Sequence, residues 1–166
     1  MNIRHRSRGV FSLLAMGLSL TAWAGGSHEG HTHDHSQGHE VMAIGKPGEA
    51  SKARRTITIE MSDAMRFTPS NLKVRQDETV RLLIVNKGKT RHELSLGTQK
   101  ALQEHLESMR RFPDMEHDEP NSVTLDPGKQ AEIVWQFTRT GTVHFACLIP
   151  GHYEAGMKGS VQVIKK

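Results

Sequence analysis

Cysteine is almost absent: the 166 residues contain one, Cys147. A single thiol excludes an intramolecular disulfide framework, so the fold has to rest on its own apolar core. An unpaired cysteine in an exported chain also needs a reason to remain unpaired. Aromatic side chains make up only 5% of the residues, and a large charge surplus is missing too. The formal net charge of +4 includes Arg4, Arg6 and Arg8 at the N-terminus; without them 19 Lys and Arg face 18 Asp and Glu, a balance of +1. That combination gives no basic face interleaved with aromatics and argues against a nucleic-acid partner. Long apolar runs are missing apart from Val10 to Leu20, which is too short to span a bilayer as a mature helix. There is no internal repeat and no second domain.

That short run has the setting of an export signal. Three arginines precede it and Ala22-Trp23-Ala24 follows it as a small-x-small cleavage site before Gly25. Residues 1–24 are therefore expected to be a signal peptide, the alternative being a retained anchor, and the mature chain is expected in the periplasm as a soluble monomer. About 140 mature residues suffice for one domain with a real core.

What the sequence does possess is concentrated in Cys147-Leu-Ile-Pro-Gly-His152-Tyr-Glu-Ala-Gly-Met157, with histidine at +5 and methionine at +10 from the cysteine. Thiolate, imidazole and thioether are the donors of a mononuclear copper electron-transfer site, which needs one more imidazole from elsewhere. His92, after Asn86-Lys-Gly-Lys-Thr-Arg, is the candidate. Sulfur suits Cu(I) and imidazole suits either oxidation state, so a His2Cys plane with a weak axial Met serves both. Pro150-Gly151 and Gly156 supply bends that let one loop converge its donors. Each residue alone has a blander reading: a small buried hydrophobe, a polar histidine, a core-filling methionine. Their order within one Gly/Pro loop between two strand-like runs is what points to metal. A cysteine nucleophile would need a base and an orienting group, and the methionine would have no task in such a mechanism. An enzyme is not expected.

Residues 25–53 are Gly, Ser, His and charge without apolar periodicity, which reads as a disordered arm. Within it lie His28, His31, His33, His35 and His39, and imidazoles on a flexible chain chelate Cu(II), Zn(II) or Ni(II) without a preformed cage. A solvated spacer is the plainer alternative. From Arg54 onward, strand-like runs at 56–60, 80–85, 123–125, 131–137, 142–146 and 159–164 are separated by Pro and Gly turns, the pattern of an all-β sandwich. Gln99 to Phe112 breaks that pattern with a helical stripe of Leu102, Leu106 and Met109 that Pro113 stops. Two uses are open to His105 and Met109 with Met115, His117 and Met65: a secondary soft site for Cu(I), or packing of the helix onto the sandwich, which is the commoner use of such a stripe.

With these residues in view, residues 54–166 resemble the cupredoxin (blue-copper) family, on whose ligand pattern His92, Cys147, His152 and Met157 fall. The His-rich arm, Met65-Arg-Phe-Thr-Pro69 and the Met/His insertion ending in Glu116-His-Asp-Glu-Pro-Asn121 are similar, more narrowly, to the CopI-type copper-tolerance members of that family. The resemblance implies a Greek-key β-sandwich of seven to eight strands with a short helical insertion and one type 1 copper centre cycling between Cu(I) and Cu(II). It further implies a part in surviving excess copper by binding, redox cycling or transfer of the metal to another periplasmic protein. A soluble one-electron carrier between redox partners is the alternative; it would need the same site and leave the arm incidental.

Overall fold

The computed structural model describes residues 43–112 and 119–166. Its strands are β1 (Lys46–Pro47), β2 (Arg55–Ser62), β3 (Arg66–Thr68), β4 (Asn71–Arg75), β5 (Glu78–Asn86), β6 (His92–Gly97), β7 (Ser122–Leu125), β8 (Gln130–Phe137), β9 (Gly141–Ala146) and β10 (Lys158–Ile164). One α-helix, α1 (Gln99–Arg111), lies between β6 and β7. The strands form two five-stranded sheets, ordered β1-β8-β5-β2-β3 and β4-β10-β9-β6-β7. Each sheet is antiparallel except for one parallel pair, β2 with β5 in the first and β4 with β10 in the second.

Period-two alternation explains the layering. In β5 the side chains of Val80, Leu82 and Ile84 are buried, and in β8 those of Ile133, Trp135 and Phe137. They face Leu94, Phe145, Val161 and Val163 of the second sheet across one shared core. Phe67 and Phe145 meet edge to face in that core, with ring centroids 5.1 Å apart.

All six expected strand runs are present as β2, β5, β7, β8, β9 and β10. Among the described residues the strands number ten, against the seven or eight expected. β1 and β3 span two and three residues, too short to show a period. β4 does alternate, with only Leu72 and Val74 inward. β6 is buried at all six positions, so it shows no alternation at all.

The N-terminal boundary also differs from the expected Arg54. Ile44 is buried, its carbonyl accepts a 3.1 Å hydrogen bond from the Trp135 indole, and β1 pairs with β8. A tryptophan buried in the core needs an acceptor for its N–H, and residue 44 supplies it. Gly45 permits the approach: at φ 128° it passes so near Gln136 that a Cβ would lie 2.2 Å from that residue's carbonyl oxygen.

The helix forms where the stripe predicts it. Thr98 caps it, its hydroxyl accepting from the Ala101 N–H at 3.1 Å. Leu102, Leu106 and Met109 are all buried and pack with Ala146 and Leu148, so α1 covers β6 and β9 on the face away from the shared core. Gly97 allows this, because a Cβ there would meet Leu102 at 2.9 Å.

Candidate metal centre

The predicted donors sit at one end of the second sheet, where strands stop. His92 opens β6, Cys147 follows β9, and Met157 immediately precedes β10. Asn86 shapes the approach to His92: its amide donates to Thr90 O at 2.8 Å and Leu125 O at 2.9 Å, and its Oδ1 accepts from the Gly88 N–H at 2.9 Å. Such an Asx-type turn replaces the ladder where the strand ends.

The loop from 147 to 157 closes on itself. Cys147 N–H donates to Met157 O at 3.1 Å, Met157 N–H to His152 O at 3.0 Å, and His152 N–H to Ile149 O at 3.0 Å. Gly151 and Gly156 take φ of 88° and 100°, the left-handed bends expected of them. Arg66 ties the loop to β3 by donating to Ala155 O and Met65 O, each at 2.7 Å. Helix α1 holds it from the other side: Gln99 donates to the Tyr153 hydroxyl at 2.9 Å and Arg110 pairs with Glu154.

Three donor atoms converge as a result. His92 Nδ1 and His152 Nδ1 are 3.3 Å apart, His152 Nδ1 and Cys147 Sγ are 3.2 Å apart, and the three residues' donors all lie within 4.8 Å of one another. Two imidazole nitrogens so close together are a separation that one metal ion could bridge. His92 and Cys147 are fully buried, while His152 is half-buried and forms the one edge nearer solvent. Met157 is fully buried in the same core cluster as Cys147.

Two carboxylates that the sequence reading passed over brace this cluster. Asp63, after β2, lies 3.1 Å from His92 Nε2. Glu93, with 2% of its surface exposed, accepts from Leu148 N–H at 3.0 Å, Ser95 Oγ at 2.8 Å and Ser122 Oγ at 3.1 Å. Its own N–H donates to Cys147 Sγ at 3.3 Å. A charged residue directly after the candidate histidine, inside an apolar run, was the available signal for Glu93. Asp63 had none, since its partner is 29 residues away.

The electrostatics suit a metal that enters as a cation. Burial pushes the Cys147 thiol up to about 12, so the metal-free side chain keeps its proton at neutral pH until a metal displaces it. Burial and then the nearby His92 lower the pKa of His152, leaving its ring neutral and able to donate a lone pair. The Lys89 N–H and then the Thr90 hydroxyl hold the Asp63 carboxyl well below the usual carboxylate range, so it is an anion.

Three of the other candidates are described. Met65 packs against the main core, Met109 belongs to the helix cluster, and His105 is half-buried on α1. Among the described residues, His92, Cys147 and His152 are the one grouping of three His, Cys or acidic side chains with metal-binding spacing. His28, His31, His33, His35, His39, Met115 and His117 lie outside the described residues.

A sandwich with a buried thiol and two imidazoles at one end defines a class. Residues 53–164 match the family described as copper binding proteins, plastocyanin/azurin family, and the chain belongs to that family. It is similar to the copper-resistant cuproprotein CopI of Rubrivivax gelatinosus, 48% identical over 88% of this chain and 90% of that protein. The protein of the same description from Pseudomonas aeruginosa is 37% identical over 74% of this chain and 83% of its own length. Among solved structures, an auracyanin B superposes with a TM-score of 0.60 at 23% identity, covering 72% of this chain and 95% of that one, a likeness of fold.

Proposed function

We propose that His92, Cys147 and His152, with Met157 as a weak axial donor, hold a single type 1 copper ion, and that the protein serves copper tolerance in the periplasm. The observation that carries this reading is the meeting of His92 Nδ1, His152 Nδ1 and Cys147 Sγ, contributed by a strand and a loop 55 residues apart in sequence. Two imidazoles and a thiolate are a donor set that copper favours in both of its common oxidation states. Copper bound there supplies one-electron redox chemistry. The chain's own contribution is to orient the imidazoles, to keep the thiolate and His92 away from water, and to leave the His152 edge open for exchange of an electron or of the metal.

The relatives called copper-resistant cuproproteins support tolerance over simple electron transport. On this reading residues 1–24 direct export, and the five histidines between 28 and 39 capture ions and raise their concentration near the domain. Tolerance follows from binding, redox cycling or transfer to a periplasmic partner. The second reading, a one-electron carrier, is favoured by the half-buried His152 beside Ile149 and Tyr153, a suitable docking edge.

Metal analysis and visible absorption of the mature protein, with and without residues 28–39, test the assignment. One copper per chain and an intense thiolate-to-copper band in both forms are expected, with additional copper only when the histidines are present. A colourless protein loaded with oxidised copper, Cu(II), refutes the site. In cells, loss of tolerance on deleting residues 28–39 with unchanged redox activity supports copper handling, whereas an unaltered phenotype supports the carrier.

A further inference from the structure

The turn after β2 brings a carboxylate to the back of a buried imidazole. Asp63 Oδ1 lies 3.1 Å from His92 Nε2, on the opposite side of the ring from the Nδ1 that faces Cys147 and His152. His92 is fully buried, while the Asp63 side chain is 38% exposed. The carboxylate is held independently of any metal. Lys89 N–H donates to Oδ2 at 2.7 Å, and Oδ1 accepts from the Thr90 hydroxyl at 2.8 Å and the Thr90 N–H at 3.3 Å. Gly88 passes so close that a Cβ there would lie 2.2 Å from Oδ1. The loop leading into β6 is thus folded around Asp63.

Two consequences follow. An ionised carboxylate only accepts hydrogen bonds, so the His92 proton must sit on Nε2 and Nδ1 must present a lone pair to the donor cluster. A carboxylate bonded to the far nitrogen of a metal-binding histidine also makes that imidazole a stronger electron donor. A stronger donor with negative charge behind it favours the more highly charged state of a bound ion.

We propose that Asp63 is a positioning residue for the copper centre: it fixes the tautomer and orientation of His92 and biases bound copper towards Cu(II). This rests on the assignment of His92 as a copper ligand. The Thr90 hydroxyl, 3.2 Å from Nε2, is a neutral partner already in place.

The test uses the full mature chain loaded with copper, comparing wild type with Asp63→Asn and Asp63→Ala. The expected result is a retained thiolate-to-copper band in both variants, with Cu(II) affinity about 10-fold lower and Cu(I) affinity less affected. The reduction equilibrium against a fixed redox couple then shifts towards Cu(I) by the ratio of those changes. Nitrogen-15 NMR of the diamagnetic Cu(I) protein is a second readout that needs no folded variant. Wild type should show a protonated His92 Nε2 whose proton exchanges slowly with water. Folded variants with a wild-type reduction equilibrium and Cu(II) affinity overturn the proposal, as does a rapidly exchanging Nε2 proton in wild type. A wild-type protein without the thiolate band overturns the copper site itself, and Asp63 with it, so the two failures are told apart.

Discussion

The two sheets share a core and divide the work. No strand of β1-β8-β5-β2-β3 carries any of the four predicted donors; that sheet supplies Ile59, Leu82, Trp135 and Phe137 to the interior. The sheet β4-β10-β9-β6-β7 supplies the facing apolar layer and places His92, Cys147 and Met157 at strand ends. It also differs in being covered on its outer face, where α1 packs over β6 and β9. The first sheet is mainly a stabilising layer that reaches the loop through Arg66 of β3, and the second carries the loop itself. The difference teaches that the helical insertion is part of the site's support: through Leu148, Tyr153 and Glu154 it touches residues lying between or beside the predicted donors.

Substitutions in the two sheets should separate stability from colour. The largest effect is expected from Cys147→Ser, which abolishes the thiolate-to-copper band while circular dichroism stays that of the folded protein; a coloured variant breaks the assignment. Trp135→Ala, in the first sheet, should cost about 3–5 kcal/mol of unfolding free energy in denaturant titration, yet leave the absorption maximum of the folded copper protein unchanged. Glu93→Ala acts on the second sheet and should do both. It strands Leu148 N–H at a cost of about 1–3 kcal/mol and shifts the thiolate band, because the backbone directly after Cys147 loses its anchor. Met157→Leu should retain copper and raise the reduction potential measured by redox titration, since the axial donor tunes it. The smallest change is expected from Glu154→Gln, which removes an exposed ion pair with Arg110 and should leave the thermal midpoint nearly unaltered.

Much of this division was legible beforehand, for reasons that differ by element. β8 exposes one face more than the other, so its alternation survived in the residue order, and β5 was legible as a nearly continuous apolar run. The Cys–His–Met spacing was readable because one short loop with two positive-φ glycines carries all three residues. β6 was not readable as a strand: α1 covers the face that would otherwise be polar, and the run His92-Glu-Leu-Ser-Leu-Gly97 is buried throughout. His92 was therefore found from its chemistry and not from a strand pattern, although it begins a strand. β1 escaped because its stability comes from Trp135, some ninety residues later, rather than from anything local. Asp63 was invisible in its role because a hydrogen bond between distant segments leaves no period, whereas Glu93 left one trace, a charge inside an apolar run.

The central claim is that residues 92, 147 and 152 share one copper ion. X-ray absorption spectroscopy at the copper edge, on mature protein lacking residues 28–39 and loaded with one equivalent of copper, tests it most directly. The account predicts a first shell of one short copper–sulfur bond and two imidazole nitrogens, with the sulfur contribution lost in Cys147→Ser. A first shell of nitrogen and oxygen alone in the wild-type domain would contradict it.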